Sequence, residues 1–133
     1  MRFETNVEET HTAIKLLEDK LDARISALLK GEFIALNAAG TRNIILNLEQ
    51  VKYADSSGLS AILTANRLCS TAGGALVLSN LSSHVEKLIK ISQLNTVLNI
   101  LPTEEEAREA VYMMELENEI TAAGAEEDPE TFK

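Results

Sequence analysis

The N-terminal part of the chain alternates between apolar and polar side chains. Phe3, Thr5 and Val7 lie on one side of the first alternating segment, and a second such segment covers residues 12–16. A period of two residues is typical of strands that expose one face. The polar residues 8–10 between the segments indicate a turn. The pattern therefore predicts two edge strands that pair as an antiparallel hairpin.

Three later segments are short and mostly apolar. Residues 44–48 and 75–78 are nearly continuous runs of aliphatic side chains, as is common in central strands covered on both faces. Residues 96–100 form a weaker run that is predicted to be a last short strand, and Pro102 ends it. Together with the hairpin, these runs predict a sheet of four to five strands.

Apolar residues between the runs recur at spacings of three and four, which predicts amphipathic helices. The helices are predicted over residues 23–38, about 57–72, from Ser83 onward, and from about 104 to 120. Ser83 with Glu86 and Thr103 with Glu106 fit the capping-box pattern for the last two. The side chains predicted to face the core are Ile25, Leu28, Leu29, Phe33 and Leu36, then Leu59, Ile62, Leu63, Asn66 and Cys69, then Val85, Leu88 and Ile89, and finally Ala107, Ala110, Val111 and Met114.

Alternation of strands and helices after the hairpin predicts an α/β fold. The expected architecture is a single domain with a mixed, mostly parallel sheet, about four helices and an antiparallel N-terminal edge hairpin. This domain is predicted to cover residues 1–121. Residues 122–133 are acidic, rich in small side chains and aperiodic, so they are predicted to be a disordered tail.

Composition narrows the possible partners. The formal net charge is −9, which argues against binding to a phosphate backbone, so no nucleic acid is expected as a partner. No apolar run approaches the roughly 20 residues that a membrane span needs, and no secretory signal is present, so a cytoplasmic protein without membrane insertion is expected. The single cysteine, Cys69, is predicted to be a buried small apolar residue.

The most polar junction of the predicted fold lies at residues 55–58, where a strand ends and a helix begins. Asp55, Ser56, Ser57 and Gly58 follow the apolar run there. Sites in open α/β sheets lie at the carboxyl ends of strands, and helix starts carry unpaired N–H groups. The chain lacks a G-x-S-x-G elbow and a P-loop, and His11 and His84 are predicted to be surface residues. Catalysis, a metal site and a cofactor are therefore not expected.

Several motifs together resemble one family. They are Leu21-Asp22, Ile44–Leu48 followed by Val51, Asp55-Ser56-Ser57-Gly58-Leu59, Gly73-Gly74 before a strand, and Val85–Leu88. With these residues the chain is similar to the sulphate-transporter and anti-sigma-antagonist (STAS) family over roughly residues 3–115, and in particular to the stand-alone anti-sigma factor antagonists of bacteria. One departure is Asp19, where the family usually has glycine.

The resemblance implies a phosphorylation switch. In that family the serine directly after the aspartate, here Ser56, is phosphorylated by an anti-sigma factor that is an ATP-binding serine kinase. The unmodified antagonist binds this kinase and frees the sigma factor, and a serine phosphatase restores the unmodified form. The resemblance implies a partner-binding surface made of Asp22, Asp55, Ser56, Ser57, Gly58 and Leu59, with Gly58 as the small residue that lets a partner approach.

Three other interpretations remain open. Asp55 or Ser56 could be present only to cap the helix, since both residue types are favoured N-caps. The chain could instead be a constitutive scaffold or subunit of a larger complex, such as a lipid-transport ATPase or a signalling assembly. Met113, Leu116 and Ile120 motivate that alternative because they would leave an apolar edge exposed. A hydrolase that uses Ser56 with a nearby His84 is the third.

Overall fold

A computed structural model describes residues 1–126 of the chain. Its strands are β1 (Phe3–Val7), β2 (Thr12–Leu16), β3 (Lys20–Leu21), β4 (Ile44–Asn47), β5 (Tyr53–Ala54), β6 (Leu76–Ser79) and β7 (Asn99–Leu101). Its helices are α1 (Ala23–Ala38), α2 (Ser56–Thr71), α3 (Ser83–Ile91) and α4 (Glu104–Glu126), and a short 3₁₀ turn covers Leu94–Thr96. The predicted α/β class is confirmed, and so is the order of the main elements, to which the structure adds the short strands β3 and β5.

The main sheet has five strands in the order β1-β2-β4-β6-β7. β1 and β2 are antiparallel, with Phe3 opposite Leu16 and Val7 opposite Thr12, and all other pairs in this sheet are parallel. The Glu8 N–H donates to the carbonyl of His11 at 2.8 Å and closes the turn between them. The predicted edge hairpin is therefore confirmed.

The two faces of the main sheet are covered by different helices. Ile14, Leu46 and Leu78 lie side by side in neighbouring strands and belong to the large core that includes side chains of α1, α2 and α3. Because consecutive residues of a strand point to opposite faces, the residues just before them, Ala13, Ile45 and Val77, face the other way. There they pack against Ala107 and Val111 of α4. The helix that begins at Ser56 and the last helix thus lie on opposite sides of the sheet.

Most of the predicted core residues are buried, but Leu28 is not. Leu28 is 47% exposed, whereas Ile25, Leu29 and Phe33 are fully buried. At 100° per residue, Leu28 lies about 100° from the centre of the stripe that those three residues define, so it reaches the edge of the contact with the sheet. The buried Ser26 occupies the opposite edge of that stripe. The assignment of Leu28 to the core was wrong.

Two details at helix ends differ from the sequence prediction. α3 is capped by Ser82, whose hydroxyl accepts the Val85 N–H at 3.4 Å, so the predicted capping box at Ser83 was wrong by one residue. The predicted cap of α4 is confirmed, because Thr103 Oγ accepts the Glu106 N–H at 3.1 Å. α4 continues to Glu126, past the boundary predicted at residue 121. Residues 127–133 of the predicted disordered tail lie outside the described residues.

A second, two-stranded sheet was not predicted. β3 and β5 pair in parallel, with Lys20 opposite Tyr53 and Leu21 opposite Ala54. Two residues are too few to show a period in the sequence. The main-chain carbonyl of Asp19 supports this pair by accepting the N–H groups of Lys52 and Tyr53 at 2.7 and 3.1 Å. Asp19 does not adopt a positive φ, so the turn that precedes β3 does not require glycine.

The single thiol lies in the core. Cys69 is buried on α2, as predicted, and burial raises its pKa to about 11. Because the thiolate is the nucleophilic form, we expect negligible alkylation of the native protein by iodoacetamide near pH 8 and stoichiometric alkylation in denaturant. Intact mass spectrometry after timed quenching measures both. Rapid labelling of the folded protein would contradict the buried position.

Candidate functional site

The carboxylate of Asp55 organises the start of α2. Its Oδ1 accepts the backbone N–H groups of Ser57 and Gly58 at 3.0 and 3.2 Å, and it also accepts the Ser57 hydroxyl. Asp55 is therefore the N-cap of α2, and Ser56 is its first helical residue. These bonds fix the conformation of residues 55–58 directly after β5, on the rim of the two-stranded sheet formed by β3 and β5.

Asp55 is an anion at neutral pH. Its pKa lies below its ordinary value, chiefly because the Ser57 hydroxyl bonds to the carboxylate and further because the N–H groups of Gly58 and Ser57 do so. Hydrogen bonds that favour the charged form lower the pKa of a carboxyl group. The rim of the sheet thus carries one fixed negative charge beside the serine pair.

The two neighbouring serines have different surroundings. The Ser57 hydroxyl is partly buried and donates to Asp55. Ser56, the first residue of α2, is exposed, and its hydroxyl makes no hydrogen bond within the described part of the chain. Ser56 is therefore the serine whose oxygen another molecule can reach without breaking an existing bond.

Gly58 is needed for close packing inside the chain. A Cβ at this position would lie 2.7 Å from the main-chain oxygen of Leu21 and 2.9 Å from its Cγ. Gly58 and Leu59 are both buried, and Leu59 belongs to the large core. The structure therefore gives Gly58 an internal role in seating α2 against β3, and it places the side chain of Leu59 away from the surface.

The pairing of β3 with β5 brings the predicted Asp22 to the same rim as Asp55. Each aspartate directly follows its strand and caps the next helix, Asp22 accepting the Ile25 N–H at 3.2 Å. The Asp55 N–H also donates to the Leu21 carbonyl at 3.3 Å. Of the six predicted site residues, the structure thus gathers Asp22, Asp55, Ser56 and Ser57 at the surface of one rim.

An aromatic pair that no sequence pattern indicates lies near this rim. The ring of Tyr53, two residues before Asp55, stacks on the ring of His84 with centroids 5.3 Å apart and planes inclined by 24°. Both side chains are exposed. No local sequence pattern could indicate this contact, because it joins residues of β5 and α3 that are distant in the sequence.

The hydrolase interpretation needs His84 as a base for Ser56, and His11 is the only other histidine in the sequence. No hydrogen bond joins His84 to Ser56 among the described residues, and the His84 ring faces Tyr53 instead. His11 is buried in the turn after β1, so its predicted surface position was wrong. Burial lowers the pKa of His11, since desolvation disfavours the imidazolium.

Removing the Asp55 carboxylate should destabilise the fold. Asp55→Ala loses three hydrogen bonds at the start of α2, and we expect the midpoint of thermal unfolding to fall by a few degrees near pH 7. Asp55→Asn keeps an accepting oxygen and should lose less. Thermal scans followed by circular dichroism measure both variants.

The stability that the Asp55 carboxylate contributes should depend on pH. The pKa of Asp55 is lower in the folded than in the unfolded chain, so its contribution is complete above the ordinary value of 3.8. That contribution is lost as the pH falls through the lower, folded value. The gap between wild type and Asp55→Asn should therefore close in acid, and a gap that stays constant would show that the charge of Asp55 is not involved.

Comparison with known proteins identifies relatives over most of the chain. A model of the STAS domain family matches residues 4–107. BtrV, a candidate anti-sigma factor antagonist of Bordetella bronchiseptica, is 28% identical over 109 residues, which cover 73% of this chain and 94% of BtrV. The anti-sigma-B factor antagonist of Bacillus subtilis is 25% identical over 101 residues, which cover 75% of this chain and 92% of the relative. These relatives are named as regulators and not as enzymes.

The fold matches a solved antagonist in two states. SpoIIAA of Bacillus in its phosphorylated form superposes with a TM-score of 0.65 at 27% identity, covering 83% of this chain and 99% of SpoIIAA. The unphosphorylated form, described as an anti-sigma factor antagonist, gives a TM-score of 0.66 at 24% identity, covering 84% and 98%. Among the described residues, no helix is both long and apolar enough to cross a membrane.

Proposed function

Because the chain belongs to the STAS domain family, we propose that it is an anti-sigma factor antagonist whose binding is controlled by phosphorylation of Ser56. Relatives named as anti-sigma factor antagonists support the first part of this proposal. The likeness to SpoIIAA, which has been solved in phosphorylated and unphosphorylated forms, supports the second. In the proposed cycle the unmodified protein binds an anti-sigma factor in the cytoplasm and so releases a sigma factor for transcription.

One observation carries the assignment to Ser56. Asp55 holds the hydroxyl of Ser57, while the hydroxyl of Ser56 is exposed and unbonded within the described part of the chain. A kinase that docks on this rim would reach Ser56 without first breaking a hydrogen bond. Phosphorylation of Ser57 would have to displace a charge-assisted bond.

The structure alters the expected surroundings of the phosphate. The sequence predicted unpaired N–H groups at the start of α2, but the Asp55 carboxylate already accepts those of Ser57 and Gly58. A phosphate on Ser56 would still benefit from the positive end of the helix dipole. It would also add about −1.5 to −2 charges beside the ionised Asp55. The modified rim is therefore strongly anionic, which opposes burial against a partner.

The proposed partners are an anti-sigma factor with serine kinase activity and a serine phosphatase. The kinase binds ATP itself, so the antagonist needs no cofactor. Exposed Ser56, its partly buried neighbours Asp22, Asp55 and Ser57, and the adjacent Tyr53–His84 stack provide polar and aromatic surface for contact with the kinase. Aromatic side chains are enriched in protein interfaces.

Site mapping tests the proposal. The purified protein is incubated with its anti-sigma factor kinase and ATP, and the modified residue is identified by tandem mass spectrometry. We expect a single phosphate on Ser56, complete loss of incorporation in Ser56→Ala and retained incorporation in Ser57→Ala. Incorporation on Ser57, or none in the wild type, would contradict the assignment.

A constitutive scaffold or subunit role is the second candidate. The exposed Met113 and Ile120 on α4 favour it, because they provide apolar surface remote from Ser56. Under this alternative, Ser56→Ala and Ser56→Asp would leave partner binding and function equally unchanged. Comparing partner binding of Ser56→Ala with that of Ser56→Asp therefore distinguishes the two candidate functions.

A further inference from the structure

α4 carries a second apolar stripe on the side that faces away from the sheet. The inner stripe, which includes Ala107 and Val111, packs on the sheet. Met113, Leu116 and Ile120 follow one another at spacings of three and four residues, which is the repeat of a helix–helix seam. We call these three residues the outer seam.

The outer seam is accessible. Met113 is 54% exposed and Ile120 is 70% exposed, with Leu116 partly buried between them. The neighbouring Tyr112 is 56% exposed and widens the apolar surface at one end. Large apolar side chains that cluster on one exposed helix face, and are not scattered singly, indicate a contact surface.

The charged residues that border the outer seam are all acidic. Glu117 and Glu119 occupy the positions on either side of it, and Glu109 lies in line with it one turn earlier. Arg108 is the single basic residue between positions 104 and 121, and it pairs with Glu104. The glutamates that border the seam therefore have no ion-pair partner within the described part of the chain.

The acidic border of the outer seam disfavours some kinds of partner and favours another. If two copies of α4 packed along the outer seam, Glu117 and Glu119 of one copy would lie near the glutamates of the other. This holds for parallel and for antiparallel packing, and like charges at these positions repel each other. An anionic membrane surface would be repelled likewise. We propose that the outer seam docks an amphipathic helix of a partner protein, whose apolar stripe is bordered by Lys or Arg.

The docking surface is separate from the proposed phosphorylation site. α4 covers the sheet face formed by Ala13, Ile45 and Val77, whereas α2, which begins at Ser56, covers the opposite face. Binding to the outer seam therefore does not depend on the state of Ser56. A chain with both surfaces could hold two partners at once, only one of which is released by phosphorylation.

A synthetic peptide tests the inference with the full chain. The probe is a helix of about 21 residues with Leu at the seam positions and Lys at the flanking positions, and its affinity is measured by isothermal titration calorimetry. Two control peptides are used. The first has the same composition in scrambled order, and the second has Glu in place of each Lys. Analytical ultracentrifugation of the protein alone measures self-association.

We expect the basic peptide to bind and both control peptides to bind at least about tenfold more weakly. Met113→Ser combined with Ile120→Ser should weaken binding by about tenfold or more, and the fold should survive because both side chains are exposed. Ile91→Ser removes another exposed apolar side chain from α3 and should have no effect. Glu117→Gln with Glu119→Gln should weaken binding and reduce its dependence on salt.

Five results would overturn the inference, and four of them concern the peptide, the seam variant and competing partners. They are equal binding of the scrambled peptide, unchanged affinity of the seam variant, formation of a dimer that the seam variant abolishes, and preferential binding to anionic lipid vesicles. Loss of peptide binding in Ser56→Asp would also overturn it, because the two surfaces would then be coupled. Ser56→Asp should leave peptide binding intact even if the phosphorylation proposal fails.

Discussion

Replacing Ser56 with aspartate is expected to weaken binding of the anti-sigma factor by at least about tenfold, which corresponds to about 1.4 kcal/mol. The added carboxylate would lie next to Asp55, whose pKa is held low by its hydrogen bonds and which is therefore already ionised. A partner that covers this rim would have to bury both charges. Ser56→Ala adds no charge and should retain the affinity of the wild type.

Ser70→Asp provides the matched control for this prediction. Ser70 is exposed on the same helix, about 21 Å from Ser56 at a rise of 1.5 Å per residue, so the substitution adds the same charge far from the rim. Calorimetric titration of the three variants with the purified anti-sigma factor measures the effect. If Ser70→Asp and Ser56→Asp weakened binding equally, the loss of affinity would result from the added net charge and not from its position beside Asp55.

Asn43→Leu should have the largest effect on stability, because Asn43 joins four parts of the fold. Its side-chain amide donates to the Thr10 carbonyl at 2.9 Å and to the Glu115 carboxylate of α4 at 2.6 Å. Its oxygen accepts the Ala75 N–H at 2.9 Å. Arg42 completes the cluster with a 2.8 Å bond to Glu115. Leucine would leave buried polar groups unpaired, which costs about 3 kcal/mol or more.

Urea unfolding followed by circular dichroism measures this loss. Asn118→Leu is the matched control, since Asn118 is an exposed residue of α4 with one long bond of 3.4 Å to the Gly73 carbonyl. We expect that control to change the free energy of unfolding by less than about 0.5 kcal/mol. Similar losses in the two variants would mean that the Asn43 cluster does not anchor α4.

The elements that could be predicted are those whose residues repeat with a period. The alternation in the N-terminal hairpin, the aliphatic runs and the helical spacings gave the order of the main elements, and the five-stranded sheet follows from that order. The start of α2 could also be placed, because Asp and Ser are preferred at helix N-termini. These signals are local in the sequence.

The features that could not be predicted depend on contacts between distant residues. The pairing of β3 with β5 involves two residues in each strand, and it is this pairing that brings Asp22 beside Asp55. The bond between Asn43 and Glu115 joins residues 72 positions apart, so no local pattern indicates it. The difference between Ser56 and Ser57 depends on which hydroxyl Asp55 accepts.

Phosphorylation of Ser56 is proposed to control binding to the anti-sigma factor. The most direct test compares one preparation of the wild-type protein before and after stoichiometric phosphorylation by the kinase, with the affinity measured by calorimetry without ATP. We predict that a single phosphate, located on Ser56, lowers the affinity at least about tenfold and that dephosphorylation restores it. Equal affinity of the two forms would show that phosphorylation of Ser56 does not control binding.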